Sequence, residues 1–159
     1  MELLFDSMLG KTVMTFFISM IPVLELRGAI PIATANGVDL WLAIVVSVIG
    51  NMVPVPFIIV FIRKIFEWLR AKNERLDALV THFEKKADKH SAAVNKYKFW
   101  GLFILVAIPL PGTGAWTGAL VAAMLDMRLK NAVPAIFLGV AAAGLIVAFF
   151  TYGVASVFF

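Results

Sequence analysis

Four long apolar stretches, at about 12–35, 41–62, 99–125 and 132–159, alternate with short polar breaks and one charged interval at 63–98. Two of them, 41–62 and 132–159, contain no Asp, Glu, Lys or Arg. At about 1.5 Å rise per residue the shorter of these reaches about 33 Å, against a hydrocarbon core of about 30 Å. Both therefore predict membrane-spanning helices. Pro54 and Pro56 interrupt the first, which predicts a kink between Asn51 and Pro56, and Pro134 opens the second.

The other two stretches are broken near the middle by the residues least compatible with a continuous helix. In 12–35 the break holds Pro22, Glu25, Arg27, Gly28 and Pro31; in 99–125 it holds Pro109, Pro111, Gly112, Gly114 and Gly118. Each half is too short to cross lipid. Two half-helices meeting at a Pro/Gly turn predict a re-entrant hairpin, because irregular backbone at membrane depth must be buried in protein or line a wet cavity. Length alone leaves one kinked span per stretch as the competing prediction.

Sliding the chain on itself by 87 positions superposes these blocks without a gap. It pairs Lys11 with Lys98, Ile21-Pro22 with Ile108-Pro109, Ala35 with Ala122 and Asp39 with Asp126. Many such matches come free in so apolar a chain, but the Ile-Pro pair and the Asp after each broken block fall at corresponding joints. The expected organisation is a first membrane repeat at 1–62, a basic linker at 63–98 and a second repeat at 99–159.

Charge orients these pieces. Ten of the fourteen Lys and Arg lie in 63–98, which places that interval in the cytoplasm. Arg128 and Lys130 follow the second broken block, whereas Asn36-Gly37-Val38-Asp39 after the first has no basic residue. If both blocks are hairpins, the basic joint faces the cytoplasm and the other faces outside, so the copies are oppositely oriented with both termini outside. The expected fold class is all-α integral membrane: an inverted repeat of a re-entrant hairpin plus a transmembrane helix, with a cytoplasmic amphipathic helical linker. The linker has no Gly or Pro, and its apolar residues Phe66, Leu69, Leu76, Leu79, Val80 and Phe83 recur at helical spacing. It is expected to lie on an anionic membrane face or to pair with a second copy.

Composition agrees with lipid: 62% of the 159 residues are hydrophobic and 15% charged, against about 45–50% and about 25% in soluble domains. The net charge of +4 is concentrated between apolar stretches, a membrane rather than a nucleic-acid pattern. No cysteine is present, and the acidic start MELLFDSMLGK does not resemble a signal peptide, so it is expected in the mature protein. His82 and His90 read as surface residues, with no metal or other cofactor expected.

Within the membrane zone only Glu25 and Arg27 are formally charged. A charge there costs about 2.5–3.5 kcal/mol or more unless paired or wet, so both are candidate functional residues. At i,i+2 on a helix they point apart and are expected to address different partners rather than each other. Arg27 presents a planar fork suited to a carboxylate or phosphate. The matching segment Pro111-Gly112-Thr113-Gly114-Ala115-Trp116-Thr117-Gly118 combines small residues, two hydroxyls and an indole N–H; a half-helix starting there aims free N–H groups at the midplane. The glycines also admit a plain packing role, Trp116 that of an interfacial anchor, and Asn51 that of satisfying carbonyls freed by Pro54.

The string Glu25-Leu26-Arg27-Gly28-Ala29-Ile30-Pro31, with Pro109 to Gly118, resembles the paired signature of the small multi-drug export protein family, and through it the DedA/VTT group. The resemblance implies hairpins in an inverted repeat, proton-linked movement of phospholipids or polyprenyl-phosphate carriers, and a role for Glu25 as the acidic residue of the first hairpin. Residues 109–124 lack the arginines of the DedA second hairpin. The expected substrate-binding set is Glu25, Arg27, Gly28, Pro31, Pro111, Gly112, Thr113, Gly114, Trp116 and Thr117, with Glu25 also the proton-coupling residue. The expected activity is transport or flipping of an amphiphilic, anionic, lipid-phosphate-like substrate in the cell membrane. Membrane lipids, protons and further copies of the chain are the expected partners, and nucleic acid is not. Export of cationic drugs and a non-transporting scaffold acting through 63–98 are the alternatives. No nucleophile, carboxylate pair or metal motif suggests an enzyme.

Overall fold

The computed structural model describes residues 7–110 and 112–158, the side chains of 87–96 and 154–158 excepted; all regular structure among them is helical. The elements are α1 (Met8–Met20), α2 (Glu25–Ala35), α3 (Leu40–Met52), α4 (Pro54–Lys72), α5 (Glu74–Tyr97), α6 (Phe99–Ala107), α7 (Ala115–Met124) and α8 (Leu129–Phe158).

Both broken stretches stop where a proline follows. Ile21, before Pro22, is extended (φ −72°, ψ 127°), and Ile108, before Pro109, nearly superposes on it (φ −76°, ψ 116°). The ring of a following proline disfavours helical backbone at the preceding residue, so α1 and α6 end there. α1 then packs along α2, and the first broken stretch doubles back on itself. By contrast α3 and α4 meet only near Val53, where Pro54 cannot donate a helical hydrogen bond. Together they form Leu40–Lys72, which with Leu129–Gly153 makes two helices long and apolar enough to cross a membrane. Pro134 lies inside α8, which begins earlier, at Leu129, rather than at the proline.

The two halves share local geometry beyond the Ile-Pro joints. α2 ends at Asn36 (φ −88°, ψ 9°) and α7 at Leu125 (φ −90°, ψ 9°). Each is followed by a left-handed residue, Gly37 or Asp126, and by the same closing bond, Val38 N–H to Ala33 O at 3.0 Å and Met127 N–H to Ala122 O at 2.9 Å. These joints correspond at a shift of 89, not 87. The ungapped slide fails at the second break, whose turn is longer than the three-residue turn Pro22–Leu24. Asp39 and Asp126 consequently do not correspond: Asp39 caps α3, accepting from the N–H groups of Trp41 and Leu42, whereas Asp126 is the left-handed residue ending α7.

The charged interval is also two pieces. α4 runs on to Lys72, and Asn73 (φ −170°, ψ 156°) starts a fresh helix by accepting from the N–H groups of Arg75 (2.8 Å) and Leu76 (3.3 Å). Arg70 pairs with Asp77 and Glu84 across the turn. α5 packs against α4, α6 and α7, fully burying Val80 beside a buried Phe66. Val80 of its apolar stripe is thus covered within the chain, whereas Leu79 and Phe83 of the same stripe stay exposed.

Small residues set the core. Ala115, Ala119, Ala122, Ala132 and Ala135 have no exposed surface, and a side chain on Gly118 would meet Val106, as one on Gly139 would. α6, α7 and α8 approach closely through these positions. α1 packs on α3 and α6 on α8; crosswise, α2 packs on α8 and α7 on α4. Phe17, Trp41, Phe57 and Phe149 point outward, each more than half exposed, an exterior suited to hydrocarbon rather than water.

Candidate functional site

The two breaks meet, and Glu25 and Arg27 hold them together. Glu25 is the first residue of α2 and takes up a left-handed backbone (φ 49°), uncommon for a residue with a side chain. That conformation, closed by its own N–H bond to Ile21 O at 2.8 Å, turns its carboxylate toward the N-terminus of α7, where Oε1 accepts from Trp116 N–H at 3.2 Å. Only 4% of Glu25 is exposed. Arg27 reaches the other side of the same break. Its Nη1 donates to Leu110 O, and its Nη2 to Thr113 Oγ1 at 3.0 Å and, at the long end, to Ile108 O at 3.4 Å.

Helix electrostatics explains the division of labour. The carbonyl oxygens just past α6 form its negative end and the free N–H groups of α7 its positive end, and both converge on the second break. A cation therefore suits Ile108 and Leu110, and an anion suits Trp116. The left-handed backbone at Glu25 and the place of Arg27 in the first turn of α2 send one side chain to each. Among the described residues they form no ion pair with each other. Their partners, however, are backbone groups and the Thr113 hydroxyl of the second break rather than groups across an open space. Trp116 completes the clasp by donating its indole N–H to Met20 O, the last carbonyl of α1, at 3.2 Å.

The second break is shaped for this. Thr113 Oγ1 stands 2.8 Å from the carbonyl oxygens of both Ile108 and Leu110 and donates its one proton to one or the other, and Thr117 donates to Gly112 O at 2.9 Å. Gly112 (φ 86°) and Gly114 (φ 120°) adopt backbone that other residues rarely reach. A Cβ on Gly114 would overlap the Glu25 carboxylate, with Cδ only 2.9 Å away, so the residue must be glycine for Glu25 to seat.

Beside the clasp lies a cavity of about 400 Å³ lined by Pro22, Val23, Glu25, Arg27, Pro109, Gly112, Thr113, Thr117 and, from α5, Lys86. Of the expected binding residues it gathers Glu25, Arg27, Gly112, Thr113 and Thr117. Gly114 and Trp116 stand behind Glu25, Gly28 and Pro31 lie further along α2 away from the cavity lining, and Pro111 is outside the described residues. Asn51 joins Gly114 behind Glu25; it is fully buried, its side chain faces the Glu25 carboxylate, and it makes no hydrogen bond to the carbonyls freed by Pro54.

A family profile described as "Putative small multi-drug export protein" matches residues 25–146, well over half of the chain. The chain belongs to that family. The match begins at Glu25 and takes in both sides of the clasp, Asn51 and Lys86. Together with the two long apolar helices, membership of the small multi-drug export family makes this a membrane-embedded protein of a group described by export. No curated protein and no solved structure matches the chain.

Lys86 is the charged lining residue that sequence reasoning missed, beside the apolar Pro22, Val23 and Pro109. It is one of ten basic residues in a charged interval, and nothing in its neighbours distinguishes it.

Proposed function

We propose that the protein is a small transporter that moves an amphiphilic substrate with an anionic, phosphate-like head through the junction of the two breaks, coupled to protons by Glu25. The observation that carries the reading is a buried carboxylate, strained into place, holding the N-terminus of one half-helix beside a cavity large enough for a ligand head group. A proton on Glu25 removes the anion that the α7 N-terminus binds and loosens the clasp; its loss closes the clasp again. Substrate movement through the junction and proton movement at Glu25 are thereby linked.

The crosswise packing of α2 on α8 and α7 on α4, around a central α3–α8 contact, supports an inverted repeat in which each broken stretch is a re-entrant hairpin. In that reading the basic turn at Asn73 is cytoplasmic, both termini are outside, and the kinship reaches the DedA/VTT group. The thin wall around the site favours an oligomer of identical chains, and no covalent chemistry is assigned to the protein. Single cysteines at the exposed positions Asn36, Glu74 and Arg128 in this cysteine-free chain test the topology. Positions 74 and 128 are expected to label from one side of the membrane and position 36 from the other; labelling of 128 with 36 requires four full spans instead.

The family's description favours a second reading, in which the cargo is a cationic drug and Glu25 its counter-charge. Proteoliposomes with an imposed pH gradient separate the two. Faster movement of a labelled lipid phosphate than of a cationic dye is expected, and the reverse order overturns the anionic assignment.

A further inference from the structure

We infer that Lys86, on the helix linking the two halves, is the group that meets the anionic head of the substrate, and that α5 is therefore part of the binding site. The inference deepens the transport reading above and rests on it for the choice of ligand.

Among the described residues, three ionisable side chains line the cavity, Glu25, Arg27 and Lys86. The first two are engaged: the Glu25 carboxylate by the α7 N-terminus, and both terminal nitrogens of Arg27 by the second break. Their charges are opposite and offset one another within the clasp. Lys86 has no hydrogen bond or ion pair among the described residues, so the cavity keeps one uncompensated positive charge, and it is the mobile one.

Its position is set by packing on both sides. α5 is docked on α6 and α7, and the end of Lys86 lies against the backbone of Gly112: a Cβ there would stand 3.3 Å from Lys86 Cε and 3.5 Å from Nζ. The hydroxyls of Thr113 and Thr117 line the same cavity. An ammonium with three free donors, beside hydroxyls in a partly enclosed space, recognises a phosphate or carboxylate oxygen as a point charge. Arg27, which the sequence suggests for that task, would first have to abandon three backbone and hydroxyl acceptors.

The test is binding of a fluorescent short-chain phosphatidic acid, and of the equally labelled diacylglycerol, to the full chain in detergent. Wild-type protein is expected to prefer the phosphate-bearing probe about tenfold or more, in line with one charge-assisted hydrogen bond. Lys86→Gln should erase the preference, Lys86→Arg should keep most of it, and Lys85→Gln, on the same helix but not on the cavity, should leave it unchanged. Displacement of the probe by inorganic phosphate would show that the head group alone suffices; resistance to displacement would show that the acyl chains are needed as well. Equal loss in Lys85→Gln and Lys86→Gln, or no preference in wild type, overturns the inference. A chain that binds the phosphate probe through Lys86 yet moves no amphiphile in proteoliposomes would sink the transport reading and leave this one standing. Transport of the lipid phosphate unaffected by Lys86→Gln would do the opposite.

Discussion

Arg27→Gln is expected to cost about 3 kcal/mol of stability and to abolish transport, because it removes the cation that bonds the second break and offsets the buried Glu25 carboxylate. Ile108, Leu110 and Thr113 lose a donor, and the Glu25 carboxylate is left without a nearby positive charge on its own helix. Removing one member of a buried charged arrangement costs about 3–5 kcal/mol, most of it the penalty of the charge left behind. That origin makes a distinctive prediction for the double variant. Glu25→Gln with Arg27→Gln should recover much of the lost stability, since no charge is then stranded, and should not recover gradient-driven movement. Glu25→Gln alone should fold, retain exchange down a substrate gradient and lose the acceleration by an imposed pH gradient at every pH tested. Lysine at position 27 keeps the charge but cannot span the carbonyls of Ile108 and Leu110 together, so partial recovery is expected. Denaturant unfolding in detergent and proteoliposome flux measure the two effects on the same preparations. Full transport in the double variant would remove Glu25 from the coupling mechanism and reduce the clasp to a structural brace.

The second large effect is expected at Gly114. Any side chain there meets the Glu25 carboxylate, and the backbone at φ 120° is one that residues with a Cβ rarely adopt. Gly114→Val should therefore displace Glu25 from the α7 N-terminus and reduce flux at least a hundredfold, with a backbone penalty of about 1–3 kcal/mol. Gly112→Val is the informative comparison. It shares the left-handed backbone, at φ 86°, but its Cβ would face Lys86, a flexible side chain that can swing away. The expected order is severe loss of flux at 114 and, at 112, a similar backbone penalty with a milder loss of flux that comes through substrate affinity. The same severe loss at both positions would mean that the turn conformation alone matters and that the contact with Glu25 does not.

Much of this protein was legible along the chain because lipid and proline act locally. Uncharged stretches of sufficient length marked 41–62 and 132–159, and the two long apolar helices lie there, since hydrocarbon leaves a backbone no solvent to bond with. Ile21-Pro22 and Ile108-Pro109 marked the ends of α1 and α6, because a proline constrains the residue before it wherever it stands. The charges Glu25 and Arg27 stood out for their cost in such surroundings. What they touch did not follow. That Glu25 caps α7 and Arg27 takes the carbonyls beyond α6 depends on two breaks more than eighty positions apart meeting in space, and on the left-handed turn at Glu25, which no neighbour in sequence demands. The same holds for the longer second turn, which sets the matching joints at Asn36 and Leu125 89 positions apart rather than 87, and for Lys86. A lysine in a solvated-looking helix becomes a lining residue only when α5 folds back at Asn73 and docks on α6 and α7. Local rules of solvation and backbone sterics are written residue by residue; long-range placement is decided by which apolar faces can be covered together, and that depends on the whole chain.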